Sequence, residues 1–360
     1  MTGGERGKSY LAKAQINFAS RLSHPALEAL APWEGFSDIY RQLLCRGGFA
    51  KHNTFMSKYQ WGVAGNHEVE DMAQMVKTPP LFDEYWAGKD DPVERVTKKW
   101  MRVHANFEWY EMYERNSNDD LQRFFDRYCK GILNGWEHDT PPLRLSLHGC
   151  GFIPNIVERP ETKFPLRRQR LETYYLDAAT KTLLAGPPDT VSSVCHEAHG
   201  LKAPTSDFVL RFDQYTEIAG YAKLLEGVNF PCPAPESEVP HAEASKLFGP
   251  QGFLRASSTV SRDQSRSSLD GQEVFYRHDH EKIVPGTIVP LDMTLWPMAI
   301  VFAAGEGIML RVGGHFLSAP SVEVMRPQEA EDENVGQHYI HTGGERDSVL
   351  ILPVIAGNRA

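Results

Sequence analysis

The chain has 360 residues, enough for two domains and sizeable cores, and its 41% hydrophobic and 24% charged residues are an ordinary globular balance. A net charge of -9 with no basic block argues against a nucleic-acid partner, and no apolar run approaches the roughly 18 residues that cross a bilayer. The five cysteines (Cys45, Cys129, Cys150, Cys195, Cys232) show no C-x-x-C spacing and read as free thiols. With a charged N-terminus lacking an apolar h-region, the expectation is a cytoplasmic protein with no membrane partner.

The first element is Gly7-Lys8-Ser9-Tyr10-Leu11-Ala12, which sets a serine between a glycine and a helical pattern. Leu11, Ala14, Phe18 and Leu22 recur at a helical period and predict one buried face. A serine on a strand-to-helix turn is the nucleophile-elbow arrangement, although Leu11 stands where G-x-S-x-G has its second glycine. The structural alternative for Ser9 is a helix N-cap. Thr2 to Ser9 also lies one residue away from a phosphate-cradling G-x-x-x-x-G-K-[ST] loop. That loop needs a preceding buried strand, and only Met1 precedes Thr2, so a nucleotide site is not favoured.

Ala26 to Pro32 reads as a short strand with Trp33-Glu34-Gly35-Phe36 as its turn, and Asp90-Asp91 as solvated loop charge. Ser117 with Asp120 spells a capping box opening an amphipathic helix of Leu121, Phe124, Phe125, Tyr128 and Ile132, with Gly131 and Gly135 at its end. Pro141-Pro142 marks a boundary between domains 1–142 and 143–360. Beyond it the period becomes two. Leu143, Leu145 and Leu147 alternate with polar residues, as do Val289 to Leu295, Ile308 to Val312, and Val349 with Ile351. Short strands punctuated by Gly and Pro predict an antiparallel sandwich, with Pro290 at an edge or bulge. Pro231 to Asp270 reads as a long surface loop.

His278 and His280 would share one face of a strand, as zinc ligands do, but their charged neighbours mark a solvated loop. His338 and His341 fall on opposite faces of a strand, and Glu329 to Glu333 reads as loop charge. No metal and no organic cofactor is expected.

Several stretches together resemble the hydrolase family of cocaine esterase and the Xaa-Pro dipeptidyl-peptidases. They are Gly7 to Ala12, Pro32-Trp33-Glu34-Gly35-Phe36, Phe124-Phe125-Asp126-Arg127-Tyr128, Lys130-Gly131, Asn134-Gly135-Trp136 and Arg159-Pro160-Glu161-Thr162. Gly252 to Ser257, Leu295-Trp296-Pro297-Met298 and His341-Thr342-Gly343-Gly344 continue the series to the C-terminus. The resemblance implies a partial α/β-hydrolase catalytic domain over 1–142 and a jelly-roll, galactose-binding-like β-sandwich over 143–360. It implies acyl transfer to Ser9 from a small-molecule ester or peptide, with the backbone N–H of Tyr10 as an oxyanion donor.

The departures from the family are specific. Eight residues precede Ser9, where relatives carry several strands and helices. Between Trp86 and Trp100 no Asp matches the family's acid position, so the acid is left unassigned. The histidine-bearing turn of relatives lies near Asn106-Phe107-Glu108-Trp109, and His104 is the nearest candidate base. A further shortening follows Gly220 to Leu224. Two readings stand: a serine hydrolase beginning at its own elbow, or an inactive remnant whose sandwich is a binding module.

Overall fold

The computed structural model describes residues 3–46, 49–50, 75, 83–105, 111–149, 153–197, 205–220, 222–225, 252, 254, 262–263, 275–276, 283–314 and 336–356. They divide into two compact units, one within Met1–Leu43, Asp83–Ser146 and Val157–Phe164, the other within Leu44–Phe82, Leu147–Ile156 and Pro165–Ala360. His278, His280, Glu329 to Glu333, Asn106 to Trp109 and most of Pro231 to Asp270 lie outside the described residues.

The first unit opens with strand β1 (Gly3–Lys8), helix α1 (Tyr10–Arg21) and strand β2 (Leu27–Trp33). β1 and β2 pair in parallel, with Lys8 opposite Trp33, so both strands end at one level. The extended backbone of Gly3–Lys8 leaves no loop in which amides could converge on a phosphate. After the four-residue helix α2 (Glu84–Ala87), a second parallel pair forms between β3 (Met101–Val103) and β4 (Leu143–Gly149), in register from Met101 with Leu143 to Val103 with Leu145. Helix α3 (Arg115–Lys130) and the single turn α4 (Trp136–Asp139) lie between them in sequence.

Alternating strand faces explain how the helices sit. A side chain on Gly4 would strike Phe125 and Cys129 of α3, whereas one on Gly7 would strike Leu11 and Gln15 of α1. Residues 4 and 7 point to opposite faces, so α1 and α3 cover the β1–β2 pair from opposite sides, and glycine permits both close approaches.

Three expectations change here. Helix α1 exists, but Leu11 and Leu22 are 50% and 63% exposed, and the buried positions are Ala12, Gln15 and Ser20. Gly35 admits the side of α1 that carries Ala12, and this close fit overrides the larger apolar stripe. Ser117 is no cap. Helix α3 begins at Arg115, which puts Ser117 in its first turn, fully buried, with its hydroxyl accepting from Arg102 Nη1 at 3.0 Å. Ile132 falls beyond the helix, which ends as predicted at Gly131 in the left-handed region (φ 72°), its N–H donating to Asp126 O.

Asp91 is the third correction. It is buried rather than solvated, and it pairs with Lys13 and accepts from Asn17 Nδ2 at 2.7 Å. Its neighbour Asp90 pairs with Arg41 at 2.7 Å, and burial nevertheless raises its carboxyl above the usual range.

The α3–α4 junction is held by Trp100, Phe124, Tyr128 and Trp136, whose rings meet at 5.1–6.4 Å. Outside it, Arg127 Nε donates to both oxygens of Glu137 at 2.8 and 2.9 Å. The Arg127 hydrogen bond holds the Glu137 carboxyl at about 2, against an ordinary 4.5. The pair therefore stabilises the fold above the ordinary value, and that contribution is lost as pH falls through about 2. Carboxyl-carbon NMR is expected to follow Glu137 titrating near 2, and Arg127→Ala to return it towards 4.5; an unmoved titration would contradict the pairing.

The second unit is predominantly antiparallel. Its strands include β6 (Arg170–Asp177), β7 (Thr182–Leu184), β8 (Ser192–Glu197), β9 (Ser206–Arg211), β10 (Thr216–Gly220) and β11 (Lys223–Leu225), preceded in the chain by β5 (Ile156–Glu161). They continue with β12 (Asp292–Thr294), β13 (Met298–Phe302), β14 (Gly307–Val312), β15 (Gln337–Thr342) and β16 (Val349–Ala356). The main sheet runs β14-β9-β7-β6-β16-β10-β13, while β8 and β15 form a separate antiparallel pair. Phe208, Ile218, Phe302, Ile308, Leu310 and Leu352 fill the core. Ile308, Leu310 and Val312 are buried as the alternation predicts. In β16 the core face instead carries Leu350, Leu352 and Val354, with Val349 also buried and Ile351 half-buried, because the strand takes the opposite phase. Pro290 lies in the irregular run before β12 rather than in a strand.

Candidate active site

The site is built where parallel strands end. In sheets of this kind, chemistry gathers at the carboxyl ends of the strands. β1 ends at Lys8 and is followed by Ser9, β2 ends at Trp33 and is followed by Glu34, and β3 ends at Val103 and is followed by His104.

Ser9 has φ 54° and ψ -125°, and its side chain makes no capping hydrogen bond to α1. An N-cap serine sits in extended backbone and uses its oxygen to accept a helix N–H. Ser9 does neither. A left-handed φ on a non-glycine residue is costly, about 1–3 kcal/mol, and such strain gathers at functional sites. The backbone holds this conformation in place: Ser9 N–H donates to Trp33 O at 3.0 Å, and Lys13 N–H donates to Ser9 O at 3.0 Å. Tyr10 is the first residue of α1, in the turn whose N–H groups have no acceptor within the helix.

His104 reaches the same corner through strand periodicity. Residues 102 and 104 share a face of β3, and both side chains meet the Trp33 indole, the His104 ring at 5.4 Å between centroids and the Arg102 guanidinium at 5.6 Å. Behind β3, Arg102 pairs with Glu158 and, at 3.6 Å, with Glu111. Glu111 also accepts from Ala105 N at 3.0 Å, which anchors the backbone just after His104. His104 Nε2 lies 2.6 Å from Glu34 Oε1, with side chains 16% and 33% exposed. In the sequence, Glu34 carries no signal of a functional role beyond its place in the turn after a predicted strand.

Ser9 and His104 thus both bear on Trp33, one through its carbonyl and one through its ring. With that corner in view, the comparisons with known proteins are informative. Residues 245–351 match the family model of the X-Pro dipeptidyl-peptidase C-terminal non-catalytic domain. A CocE/NonD family hydrolase from Staphylococcus aureus superposes with a TM-score of 0.84 at 26% identity, over 98% of this chain and 72% of that one. The chain is similar to hydrolases of the cocaine esterase and Xaa-Pro dipeptidyl-peptidase type.

A second structure of the staphylococcal CocE/NonD hydrolase gives a TM-score of 0.85 at 25% identity, over 99% of this chain and 72% of that one. An α-amino acid ester hydrolase shares the fold at a TM-score of 0.58 and 14% identity, over 98% of this chain and 76% of that one. No curated protein sequence matches the chain. The fold class of the chain is a partial α/β-hydrolase followed by a β-sandwich. Among its described residues, no helix is long and apolar enough to cross a membrane.

Proposed function

We propose that the chain is a serine hydrolase that cleaves a small-molecule ester or amide bond through an acyl-Ser9 intermediate. Residues 1–142 form its catalytic domain and residues 143–360 its sandwich domain. The observation that carries the reading is Ser9 itself: a strained, uncapped serine on a strand-to-helix corner, tied to the strand end that also meets His104.

In the reaction, Ser9 Oγ bonds to the substrate carbonyl carbon while its proton passes to His104 and the C=O electron pair moves onto oxygen. The N–H of Tyr10 donates to that oxyanion. As the tetrahedral species collapses, His104 returns the proton to the leaving alcohol or amine. Water then repeats the sequence on the acyl-enzyme and frees Ser9. The structural neighbours include a CocE/NonD family hydrolase and an α-amino acid ester hydrolase, which supports a hydrolysable ester as substrate.

Hydrolysis of p-nitrophenyl esters tests the proposal. Release of p-nitrophenol that is lost in Ser9→Ala is the expected result. Equal release by folded Ser9→Ala would overturn it, and no release by the folded native chain would favour the sandwich acting as a binding module.

A further inference from the structure

We infer that Glu34 is the carboxylate that positions His104, taking the place of the acid that the interval between Trp86 and Trp100 does not supply. The inference rests on the serine-hydrolase reading and deepens it.

The first observation is the contact. His104 Nε2 and Glu34 Oε1 are 2.6 Å apart, a short contact within hydrogen-bonding distance, and the His104 side chain is buried more deeply than the partly exposed Glu34. Donation from Nε2–H fixes the tautomer whose lone pair is on Nδ1, and an ionised carboxylate there stabilises the imidazolium formed when Ser9 gives up its proton.

The second observation is independent of that contact. Among the described residues, four non-glycines have positive φ, and two of them are Ser9 (54°) and Glu34 (49°). These two follow directly on β1 and β2, whose ends are in register. Backbone strain of this kind gathers at functional sites, and both of these adjacent strand ends carry it. Gly35 shows what fixes the turn: a side chain there would meet Ile16 Cδ1 at 2.7 Å and Ala12 Cβ at 3.1 Å, so the Glu34 turn lies against the helix that follows Ser9. Order along the chain is also that of an α/β-hydrolase triad, serine, acid, then histidine.

Other charges face the pair. Arg102 lies over the Trp33 ring beside His104, and Glu111 holds the backbone of Ala105. Glu34 is in hydrogen-bonding contact with the His104 ring.

The experiment measures p-nitrophenyl ester hydrolysis across pH for the native chain, Ser9→Ala, Glu34→Gln and Glu34→Asp, together with the imidazole titration of His104 by NMR, assigned with His104→Asn. Glu34→Gln is expected to lower kcat by roughly 10³–10⁴-fold with KM changed only a few-fold. Removing the negative charge favours neutral imidazole, so the His104 titration and the acidic limb of kcat/KM should move to lower pH. Glu34→Asp, which keeps the charge, should recover at least part of the lost rate, and it serves alone if the Gln variant does not fold. Wild-type kcat in Glu34→Gln, or a His104 titration that does not move, overturns the assignment of Glu34 alone. Hydrolysis that persists in Ser9→Ala overturns the hydrolase reading, and the positioning role falls with it whatever the titration shows.

Discussion

Replacing Ser9 with alanine, His104 with alanine, or both is expected to lower kcat for a p-nitrophenyl ester by nearly the same factor, on the order of 10⁶. The reason is that in the proposed mechanism the two groups act on one proton. Without His104, Ser9 Oγ is a neutral alcohol with nowhere to send its proton as it attacks. Without Ser9, the imidazole has no nucleophile to activate. The second substitution therefore removes nothing that the first has left working, and the residual rate comes from substrate binding and oxyanion donation by Tyr10 N–H. The geometry joins the two residues through Trp33, whose carbonyl accepts from Ser9 and whose ring meets His104. A double variant whose loss is the product of the two single losses would show that they act independently, against this account.

The second large effect is on stability. Asp91→Ala is expected to destabilise the fold by about 3–5 kcal/mol, because it strands the Lys13 ammonium beside α1 without its carboxylate. Asp91 also accepts from Asn17, and Lys13 donates to the carbonyls of Ser37 and Lys89, so one ion pair gathers α1 and two loops. Lys13 is the residue whose N–H donates to Ser9 O, which puts the elbow at the end of the same network. The double variant Lys13→Met with Asp91→Leu should lose much less than Asp91→Ala alone, since no buried charge is left unpaired. Urea denaturation of the three chains separates these outcomes; equal stability of Asp91→Ala and the native chain would mean that the network contributes nothing.

What could be read from the sequence depended on whether the cause was local. Ser9 on a corner, the strand ending near Pro32, and the stop at Gly131 follow from glycine, small residues and period within a short stretch. The alternation of Ile308, Leu310 and Val312 is equally local, since one face of a strand must be buried. The face of α1 is not legible locally because Gly35, beyond β2, admits the side that carries Ala12. Ser117 looked like a cap because its role, accepting from Arg102, is set by a strand outside the helix. Asp91 and Glu34 were passed over for the same reason: an acid on a loop looks solvated until folding brings Lys13 or His104 to it.

The central claim is that Ser9 is an activated nucleophile, and the most direct measurement is reaction of the folded chain with a fluorophosphonate, followed by peptide mass spectrometry. One covalent phosphonate on Ser9 Oγ, absent from Ser9→Ala and strongly slowed in His104→Ala, is the predicted result. Folded protein that carries no adduct on Ser9, or that is labelled equally well with alanine in its place, would contradict the account.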